Sequence, residues 1–418
     1  MAGGRHGRFD ADVCVIGAGS GGLSVAYAAA RLGARVVLVE GGAMGGDCLN
    51  TGCVPSKALI AAARHAQTMR EGARYGIAPV EPQVDFAAVM AHVHRVIAAI
   101  APVDSQDRYE GFGVRVIRDW ARFVSPDAIE AGGERITARR FVIATGSRPR
   151  IPPIPGLDGV AYLTNETVFE LTTCPSHLIV LGGGPIGIEL AQAFRRLGAG
   201  VSVVEAGRAL GREDPEAAAL VLARLRAEGV AIREGNAVHS VAQDGDRIAV
   251  TTTDGVLRGS HLLVATGRHA DLGRLDAAAG GIAFDDRGVS VDARLRSSNR
   301  RVYAVGDAAG GMQFTHLANY HAGIVIRQIL FSLPARATTG HVPRVTYADP
   351  ELAQIGLTEA EARKAHGAPL EVLRFPYAEN DRAMASSQTD GFIKVMAVGG
   401  RPVGVTIAGA EAGELVGL

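Results

Sequence analysis

The feature that most constrains the fold of this 418-residue chain is a pattern that occurs twice. Between residues 11 and 39, a short β-rich run leads into a glycine turn, a helix of small residues and a second β-rich run, which is the pattern of a βαβ unit. The same order returns between residues 178 and 204. In both copies a glutamate follows the first glycine of the turn by 23 positions. The repeat predicts an α/β protein with two Rossmann-like dinucleotide-binding domains.

The first copy has a glycine turn in the context that a nucleotide fingerprint requires, between a strand and a helix. Gly17 allows the tight turn, Gly19 lets the backbone approach a pyrophosphate, and Gly22 permits close packing of helix on strand. Glu40, at the end of the next strand, is placed to accept hydrogen bonds from a ribose. A single motif of this kind also occurs for packing alone, so the repetition in matching contexts is what favours nucleotide binding.

The second copy places glycines in the same three roles, at Gly182, Gly184 and Gly187. Its strand ends in Glu205, whose carboxylate would bond a free 2′-hydroxyl and repel a 2′-phosphate, so NADH is favoured over NADPH. Arg208 and Arg212 follow closely. They either weaken this preference or belong to a solvated loop.

Two cysteines, Cys48 and Cys53, lie five positions apart just after the first nucleotide motif. If the first half of this segment opens a helix, their side chains lie slightly more than one turn apart, within reach of a disulfide. A helix N-terminus also favours a thiolate. The other interpretations are two unrelated buried thiols or half a zinc site, but Cys14 and Cys174 provide no second pair at ligand spacing. The spacing favours a redox-active disulfide.

The composition limits the classes of molecule that the protein is expected to bind. Lysine plus arginine equals aspartate plus glutamate at 43 each, so no net field favours nucleic acid or an anionic membrane, and small molecules are the expected ligands. Four cysteines do not make a disulfide-stapled secreted scaffold. The polar start of the chain lacks a signal peptide pattern, and no uncharged apolar run is long enough to span a bilayer. We therefore expect a cytoplasmic location.

His92, His94 and His321 are expected to be surface or core residues, and we assign no metal site.

Three predicted strands end in residues that bring backbone or a carboxylate close to a cofactor. The residues at these ends are Thr145, Gly146 and Ser147, then Gly267, and finally Asp307. Each would be merely a turn if it occurred alone.

Together these motifs resemble the class I pyridine nucleotide-disulfide oxidoreductases, the flavoprotein family of dihydrolipoamide dehydrogenase, glutathione reductase and mercuric reductase. The resemblance implies FAD and NAD(H) as cofactors, a homodimer, and electron transfer from the nicotinamide through the flavin to the cysteine pair. It places the ADP half of FAD at the first glycine motif and Glu40, the adenine by Ala121, and the ribityl chain at Asp307. The second glycine motif, Glu205 and Gly267 hold the nicotinamide cofactor. Further cofactor-binding residues implied by the resemblance are Gly46, Lys57, Thr145, Gly146, Ser147, Leu317 and Ala318.

The resemblance also implies catalytic roles. Cys53 faces the flavin, and Cys48 exchanges with the substrate. Lys57 and Glu189 match a pair that lies near the flavin N5 atom. Without the resemblance, Glu189 would be interpreted as a first-turn helix residue that is favourable to the helix dipole.

The same resemblance predicts the domain order. A proline-rich stretch at residues 148–156 indicates a crossing linker, hence a boundary near 150. The predicted domains are an FAD-binding domain in two parts, 1–150 and 268–336, an NAD-binding domain at 151–267, and a dimerisation domain at 337–418. The last domain is expected to be incomplete, because the sequence predicts a helix that has only begun where the chain stops.

The chain departs from the family at two points. Asp47 stands where many relatives carry threonine, and its charge is expected to raise the pKa of Cys48. The C-terminal histidine and glutamate that reach across the family's homodimer are missing, and the last histidine is His366. This implies either a shortened chain or impaired thiol chemistry.

The substrate remains open among several interpretations. A lipoamide substrate is favoured, because the second glycine motif has the dihydrolipoamide dehydrogenase form and Glu205 favours NAD. Mercuric reductase activity is the alternative, and glutathione reduction is disfavoured by Glu205. Two other classes of protein are a flavin-dependent NADH:quinone or oxygen oxidoreductase with an inert cysteine pair, and a non-catalytic FAD or NAD binding module.

Overall fold

A computed structural model of the chain describes residues 9–417. The first eight residues, on which most of the signal-peptide interpretation depends, and residue 418 lie outside the described part.

The strands and helices are numbered along the chain. The strands are β1 Ala11–Ile16, β2 Val36–Val39, β3 Val114–Ile117, β4 Arg122–Ser125, β5 Ala128–Ala131, β6 Glu134–Ile143, β7 Ser147–Pro149, β8 His177–Leu181, β9 Gly200–Val204, β10 Ala231–Arg233, β11 Val238–Asp244, β12 Arg247–Thr252, β13 Gly255–Gly259, β14 His261–Val264, β15 Arg268–Ala270, β16 Phe284–Asp285, β17 Gly288–Val289, β18 Val302–Ala304, β19 Arg344–Thr346, β20 Glu351–Gly356, β21 Leu370–Pro376, β22 Phe392–Val398 and β23 Arg401–Gly409. The helices are α1 Ser20–Arg31, α2 Gly46–Asn50, α3 Cys53–Arg70, α4 Phe86–Ile100, α5 Gln106–Gly111, α6 Pro185–Arg196, α7 Pro215–Ala227, α8 Thr315–Phe331, α9 Glu359–His366, α10 Asp381–Ala385 and α11 Ala412–Leu415.

The part of the chain that the structure describes divides into two compact units. The first contains the residues up to Val54 together with Arg95–Arg148 and Arg268–Thr338, and the second contains Pro55–His94, Pro149–Gly267 and the residues from Thr339 onward. Three of the changes between units, after Arg148, Gly267 and Thr338, fall beside the predicted boundaries near 150, at 267 and at 336. The predicted four-part division is finer than these units and stays a prediction.

The first unit is built on a parallel sheet in the order β3-β2-β1-β6, with β18 on the other side of β6. β1 and β2 are almost continuously apolar and buried, as expected for strands of a parallel sheet that is covered on both faces. α1 leaves β1 through the glycine turn and packs with α8. The N-terminal half of β6 pairs in antiparallel fashion with β5.

The second unit repeats the first arrangement and adds two antiparallel sheets, β11-β12-β13 and a C-terminal sheet. Its parallel sheet has the order β10-β9-β8-β14, with α6 connecting β8 to β9 and α7 connecting β9 to β10. The C-terminal sheet has the order β19-β20-β23-β22-β21. α9 begins with a capping box, in which Thr358 and Glu361 satisfy each other's backbone N–H groups. The predicted fold class, two Rossmann-like regions followed by an α+β region, is confirmed.

One helical stretch, Phe86–Gly111, is long and apolar enough to be a candidate membrane-crossing helix by length and composition, and 17% of its apolar part is buried. This is weak evidence, because core helices and signal sequences meet the same criterion. The backbone interrupts the stretch, since Ser105 is extended between a 3-10 turn and α5. The prediction that the chain lacks a membrane span stays a prediction.

Candidate active site

The two cysteines of the predicted redox pair contact each other through their side chains. The helix that brings them together is not continuous, which corrects the geometry expected from the sequence. Cys48 lies in the short helix α2, the chain breaks at Thr51 and Gly52, and Cys53 is the first residue of α3. Cys48 is half-buried and Cys53 is exposed. The pair is therefore accessible, and Cys53 lies at the N-terminus of an 18-residue helix.

The surroundings of Cys48 favour its protonated form. The hydrogen bond with Cys53, burial and the charge of Cys53 raise the pKa of the Cys48 thiol above its usual range. Asp47 acts in the same direction, as the sequence predicts, although it is the smallest of these causes. A hydrogen bond to Thr315 lowers the Cys48 pKa and opposes them.

Thr315 is a site residue that sequence reasoning missed. It is the first residue of α8, and its hydroxyl oxygen lies 3.4 Å from the Cys53 sulfur. No local pattern in the sequence marks Thr315. Thr315 thus contacts both sulfurs of the pair.

The second unit brings Lys57 and Glu189 together, as the resemblance implies. The Lys57 Nζ atom donates to Glu189 Oε2 at 2.8 Å, and the Tyr347 backbone N–H donates to Glu189 Oε1 at 2.8 Å. Lys57 also lies 4.4 Å from the centre of the Tyr347 ring. Glu189 is in the second turn of α6, so its interpretation as a first-turn residue is wrong. Tyr347 was not predicted, since no local pattern marks it.

The first glycine motif shows where backbone space is needed. Gly17 has φ +104°, and a Cβ atom on it would lie 2.3 Å from the Ala144 carbonyl oxygen. A Cβ atom on Gly22 would lie 1.8 Å from the Gly17 carbonyl oxygen. Gly19 differs, because its nearest neighbour would be the Gly46 Cα atom at 3.9 Å. Packing within the protein thus demands glycine at the first and third positions, whereas the space beside Gly19 is left for a ligand.

The second motif has the same property. A Cβ atom on Gly182 would lie 2.4 Å from the Ala265 carbonyl oxygen, and one on Gly187 would lie 2.1 Å from the Gly182 carbonyl oxygen. No heavy atom lies within 4 Å of the Cβ position at Gly184 in the described part of the chain.

The two glutamates of the repeat make the same hydrogen bonds. Glu40 accepts from the backbone N–H groups of Ala18 at 2.5 Å and Gly42 at 2.6 Å. Glu205 accepts from those of Gly183 at 2.8 Å and Gly207 at 2.7 Å. Each carboxylate is therefore fixed at its own glycine turn and keeps further lone pairs for a ribose. Their predicted ribose contacts stay predictions.

The strand ends in the first unit collect polar groups. Asp307 accepts from the Ser147 hydroxyl at 2.5 Å, and burial raises the pKa of Asp307 above its usual range. The buried Thr145 hydroxyl has no hydrogen-bond partner among the described residues. A buried polar atom without a partner is unfavourable, and a polar ligand beside it would satisfy it. Together with the open space at Gly19, this orphaned hydroxyl fits a bound dinucleotide such as FAD.

The remaining predicted cofactor residues occupy three settings. Ala121 is buried next to Trp120, whose ring lies against Gly41. Leu317 is buried in α8, and Ala318 packs against Gly306. Gly146 and Gly267 follow β6 and β14 with positive φ and open space at their Cβ positions, and their predicted roles stay untested.

The predicted redox motif carries an ion pair that the sequence did not indicate. Arg268 Nη2 lies 3.2 Å from Asp47 Oδ2. Sequence reasoning treated Asp47 as an added negative charge, whereas the structure gives it a cationic partner. Among residues 9–417, no group of three or more histidine, cysteine or acidic side chains is arranged to hold a metal ion.

Comparisons with known proteins agree with this geometry. The pyridine nucleotide-disulphide oxidoreductase family matches residues 11–322, and the dimerisation domain of the same family matches residues 342–417. The mercuric reductase of Streptomyces lividans is 35% identical over 397 residues, covering 92% of this chain and 84% of that protein. The mercuric reductase of Bacillus cereus is 32% identical over 419 residues, covering 98% of this chain and 66% of that protein.

Solved structures show the same likeness. The HOCl-induced flavoprotein disulfide reductase RclA from Escherichia coli is similar with a TM-score of 0.87 and 28% identity, over 97% of this chain and 91% of that chain. A Cu(II) complex of that protein gives the same values. With both family regions matched and the redox cysteines in contact, the chain belongs to the pyridine nucleotide-disulfide oxidoreductases, a family of flavoproteins that use FAD and a pyridine nucleotide.

Proposed function

We propose that this protein is an NADH-dependent reductase that passes two electrons through the Cys48–Cys53 pair to a small acceptor. The observation that carries the proposal is the contact between the two thiols beside the first nucleotide motif, with Thr315 touching both sulfurs. FAD, when bound, would supply the two-electron chemistry that connects the nicotinamide to the sulfurs.

Different residues of the chain have different roles in the proposed reaction. Thr315 and the N-terminus of α3 favour negative charge on Cys53, and the protonated Cys48 becomes the attacking group once it loses its proton. Glu189 fixes Lys57, whose ammonium group would stabilise negative charge that develops close to it. Glu40 and Glu205 orient the two nucleotides at their glycine turns.

We propose Hg(II) as the first acceptor to test. The mercuric reductases named above are similar to this chain over almost its whole length, which supports this choice. The reaction balances as NADH plus Hg(II) giving NAD⁺, a proton and Hg(0). Lipoamide or another small disulfide is the second candidate, supported by the likeness to a flavoprotein disulfide reductase and by the form of the second glycine motif.

We further propose that the enzyme prefers NADH and acts as a homodimer in the cytoplasm. Glu205 supports the preference for NADH, because two backbone amides hold its carboxylate where a 2′-phosphate would be repelled. The match to the dimerisation domain supports the homodimer. The balanced composition, which gives no net charge that would attract the protein to a membrane, is the basis for the cytoplasmic location.

The deciding experiment is anaerobic reduction of the purified protein with one equivalent of NADH while the visible spectrum is recorded. We expect flavin bleaching and a long-wavelength band that is lost in Cys53→Ser. Retention of that band in Cys53→Ser, or no bleaching in the wild type, would reject the proposal, and the latter result would indicate a non-catalytic binding module.

A second measurement separates the acceptors. NADH oxidation is followed with Hg(II), lipoamide, oxidised glutathione, quinone or oxygen, in wild type and in Cys48→Ser. We expect activity with Hg(II) or a disulfide that depends on Cys48. Turnover with quinone or oxygen alone, unchanged in Cys48→Ser, would show instead an oxidoreductase with an inert cysteine pair.

A further inference from the structure

Asp47 and Arg268 form an ion pair next to the exchange cysteine. Asp47 directly precedes Cys48, and its Oδ2 atom lies 3.2 Å from Arg268 Nη2. The Arg268 side chain is 10% exposed and that of Asp47 is 40% exposed. The pair thus has one well-buried cation and one accessible carboxylate, so its electrostatic effect is partly screened by solvent.

Both partners are held in place by further hydrogen bonds. Arg268 donates from Nε to the Ser147 hydroxyl and from Nη2 to the Ser147 carbonyl oxygen, each at 2.8 Å. The other oxygen of Asp47, Oδ1, accepts from the Thr51 hydroxyl at 2.8 Å. Because each oxygen of Asp47 has its own donor, the carboxylate has little freedom to turn toward or away from Cys48.

The charged and polar neighbours of Cys48 in the first unit act in opposite directions. Cys53 and Asp47 disfavour a thiolate at Cys48, and Thr315 favours it. Asp307 lies beyond Ser147, and Arg268 lowers its pKa against the effect of burial. His316 follows Thr315 on α8. Arg268 is therefore a cation between two carboxylates, one next to the exchange cysteine and one at the predicted ribityl site.

We propose that Arg268 is a positioning residue for thiol exchange, which holds and neutralises the Asp47 carboxylate so that Cys48 stays reactive despite the adjacent acid. The proposal rests on the proposed function, in which Cys48 is the attacking sulfur. It also explains how the chain accommodates an acidic residue at a position where the resemblance leads us to expect threonine.

The test is a double-mutant cycle on the reactivity of Cys48. The FAD-loaded protein is reduced with dithiothreitol, freed of excess reductant, and treated with iodoacetamide between pH 6 and 10. Alkylation at Cys48 is separated from that at Cys53 by fragment-ion mass spectrometry, and Cys174 serves as an internal reference. Four proteins are compared: wild type, Arg268→Gln, Asp47→Asn and the double variant.

We expect Arg268→Gln to slow alkylation of Cys48 near neutral pH by roughly two- to fivefold, the size appropriate to a partly exposed ion pair, and to move its pH midpoint upward. Asp47→Asn should move the midpoint downward, and Arg268→Gln should have no effect in the Asp47→Asn background. Arg268→Lys, which keeps the charge, should behave more like wild type than Arg268→Gln.

Two results would overturn the proposal. One is an unchanged Cys48 profile in Arg268→Gln, and the other is an equal slowing by Arg268→Gln with and without Asp47. The FAD content of every variant is measured from its visible spectrum. If Arg268→Gln has lost the cofactor, Arg268→Lys is compared with wild type in its place. Chemical reduction makes the readout independent of NADH turnover, so a failure of NADH to reduce the pair would reject the proposed function and leave this comparison intact.

Discussion

Lys57 and Glu189 meet at 2.8 Å although 132 positions separate them in the chain. The Glu189 side chain is 7% exposed, and that of Lys57 is 38% exposed. Glu189 also accepts the backbone N–H of Tyr347, so this carboxylate connects α3, α6 and the segment after β19. It fixes a lysine that the proposed chemistry needs.

Glu189→Gln should weaken both stability and turnover. The amide cannot balance the charge of Lys57, and we expect the free energy of unfolding to fall by about 1–2 kcal/mol, less than for a fully buried pair because Lys57 is partly exposed. Urea unfolding measures this loss, and steady-state NADH oxidation should fall in kcat more than it changes in KM. Asp244→Asn, which breaks an exposed pair with Arg258, is the control and should cost less than about 0.5 kcal/mol. A Glu189→Gln protein with wild-type kcat would contradict a functional role for the pair.

Thr145→Val should separate cofactor affinity from protein stability. The Thr145 hydroxyl is buried without a partner in the described part of the chain, so its replacement by a methyl group should leave the FAD-free protein as stable as before or slightly more stable. If FAD satisfies this hydroxyl, its Kd should rise roughly fivefold to tenfold. Equilibrium titration of the FAD-free protein by flavin fluorescence gives the Kd. Thr137→Val, which removes a hydroxyl on β6 that is bonded to Asp10, should leave the Kd unchanged. An unaltered Kd in Thr145→Val would exclude this contact.

Glu205→Gln should reduce the preference for NADH. The neutral amide no longer repels a 2′-phosphate and makes a weaker hydrogen bond to a 2′-hydroxyl, so the ratio of kcat/KM for NADH to that for NADPH should fall roughly tenfold. The ratio is measured with a single acceptor under fixed conditions. Glu170→Gln, at an exposed position in the same unit, is the control. No change in the ratio would mean that another residue selects the nucleotide.

His321 should make stability depend on pH. Burial lowers the pKa of His321 to about 4, and its Nδ1 atom accepts the Gly306 backbone N–H at 3.2 Å. The unfolded chain, with an ordinary histidine pKa near 6.5, binds more protons than the folded chain between these two values. This contribution to stability is complete above about pH 6.5 and is lost progressively as the pH falls toward about 4.

The corresponding variant is His321→Gln, whose side-chain oxygen can also accept a hydrogen bond. Urea unfolding at several pH values should show a shallower loss of stability below pH 6.5 in His321→Gln than in wild type. His366→Gln, at an exposed position on α9, should keep the wild-type slope. Equal slopes in wild type and His321→Gln would show that His321 titrates normally.

Local patterns were sufficient for much of the fold. The glycine turns and the apolar runs before them act within a few positions of the chain, and the structure has strands and helices where these patterns predict them. The expected geometry of the cysteine segment was less accurate. Its helix breaks at Thr51 and Gly52, so two helices instead of one hold the two sulfurs in contact.

The sequence by itself determined the repeated nucleotide-binding architecture and the pairing of Cys48 with Cys53, because turn chemistry, side-chain period and short spacing are local properties. Only the tertiary structure decided which distant groups surround the sulfurs. Thr315 lies 262 positions from Cys53, and Arg268, the first residue of β15, reaches Asp47 in α2. Such contacts depend on how the strands are ordered in a sheet and on where each strand ends. The strand order is set by burial of the core that distant segments share, and no short stretch of residues encodes it.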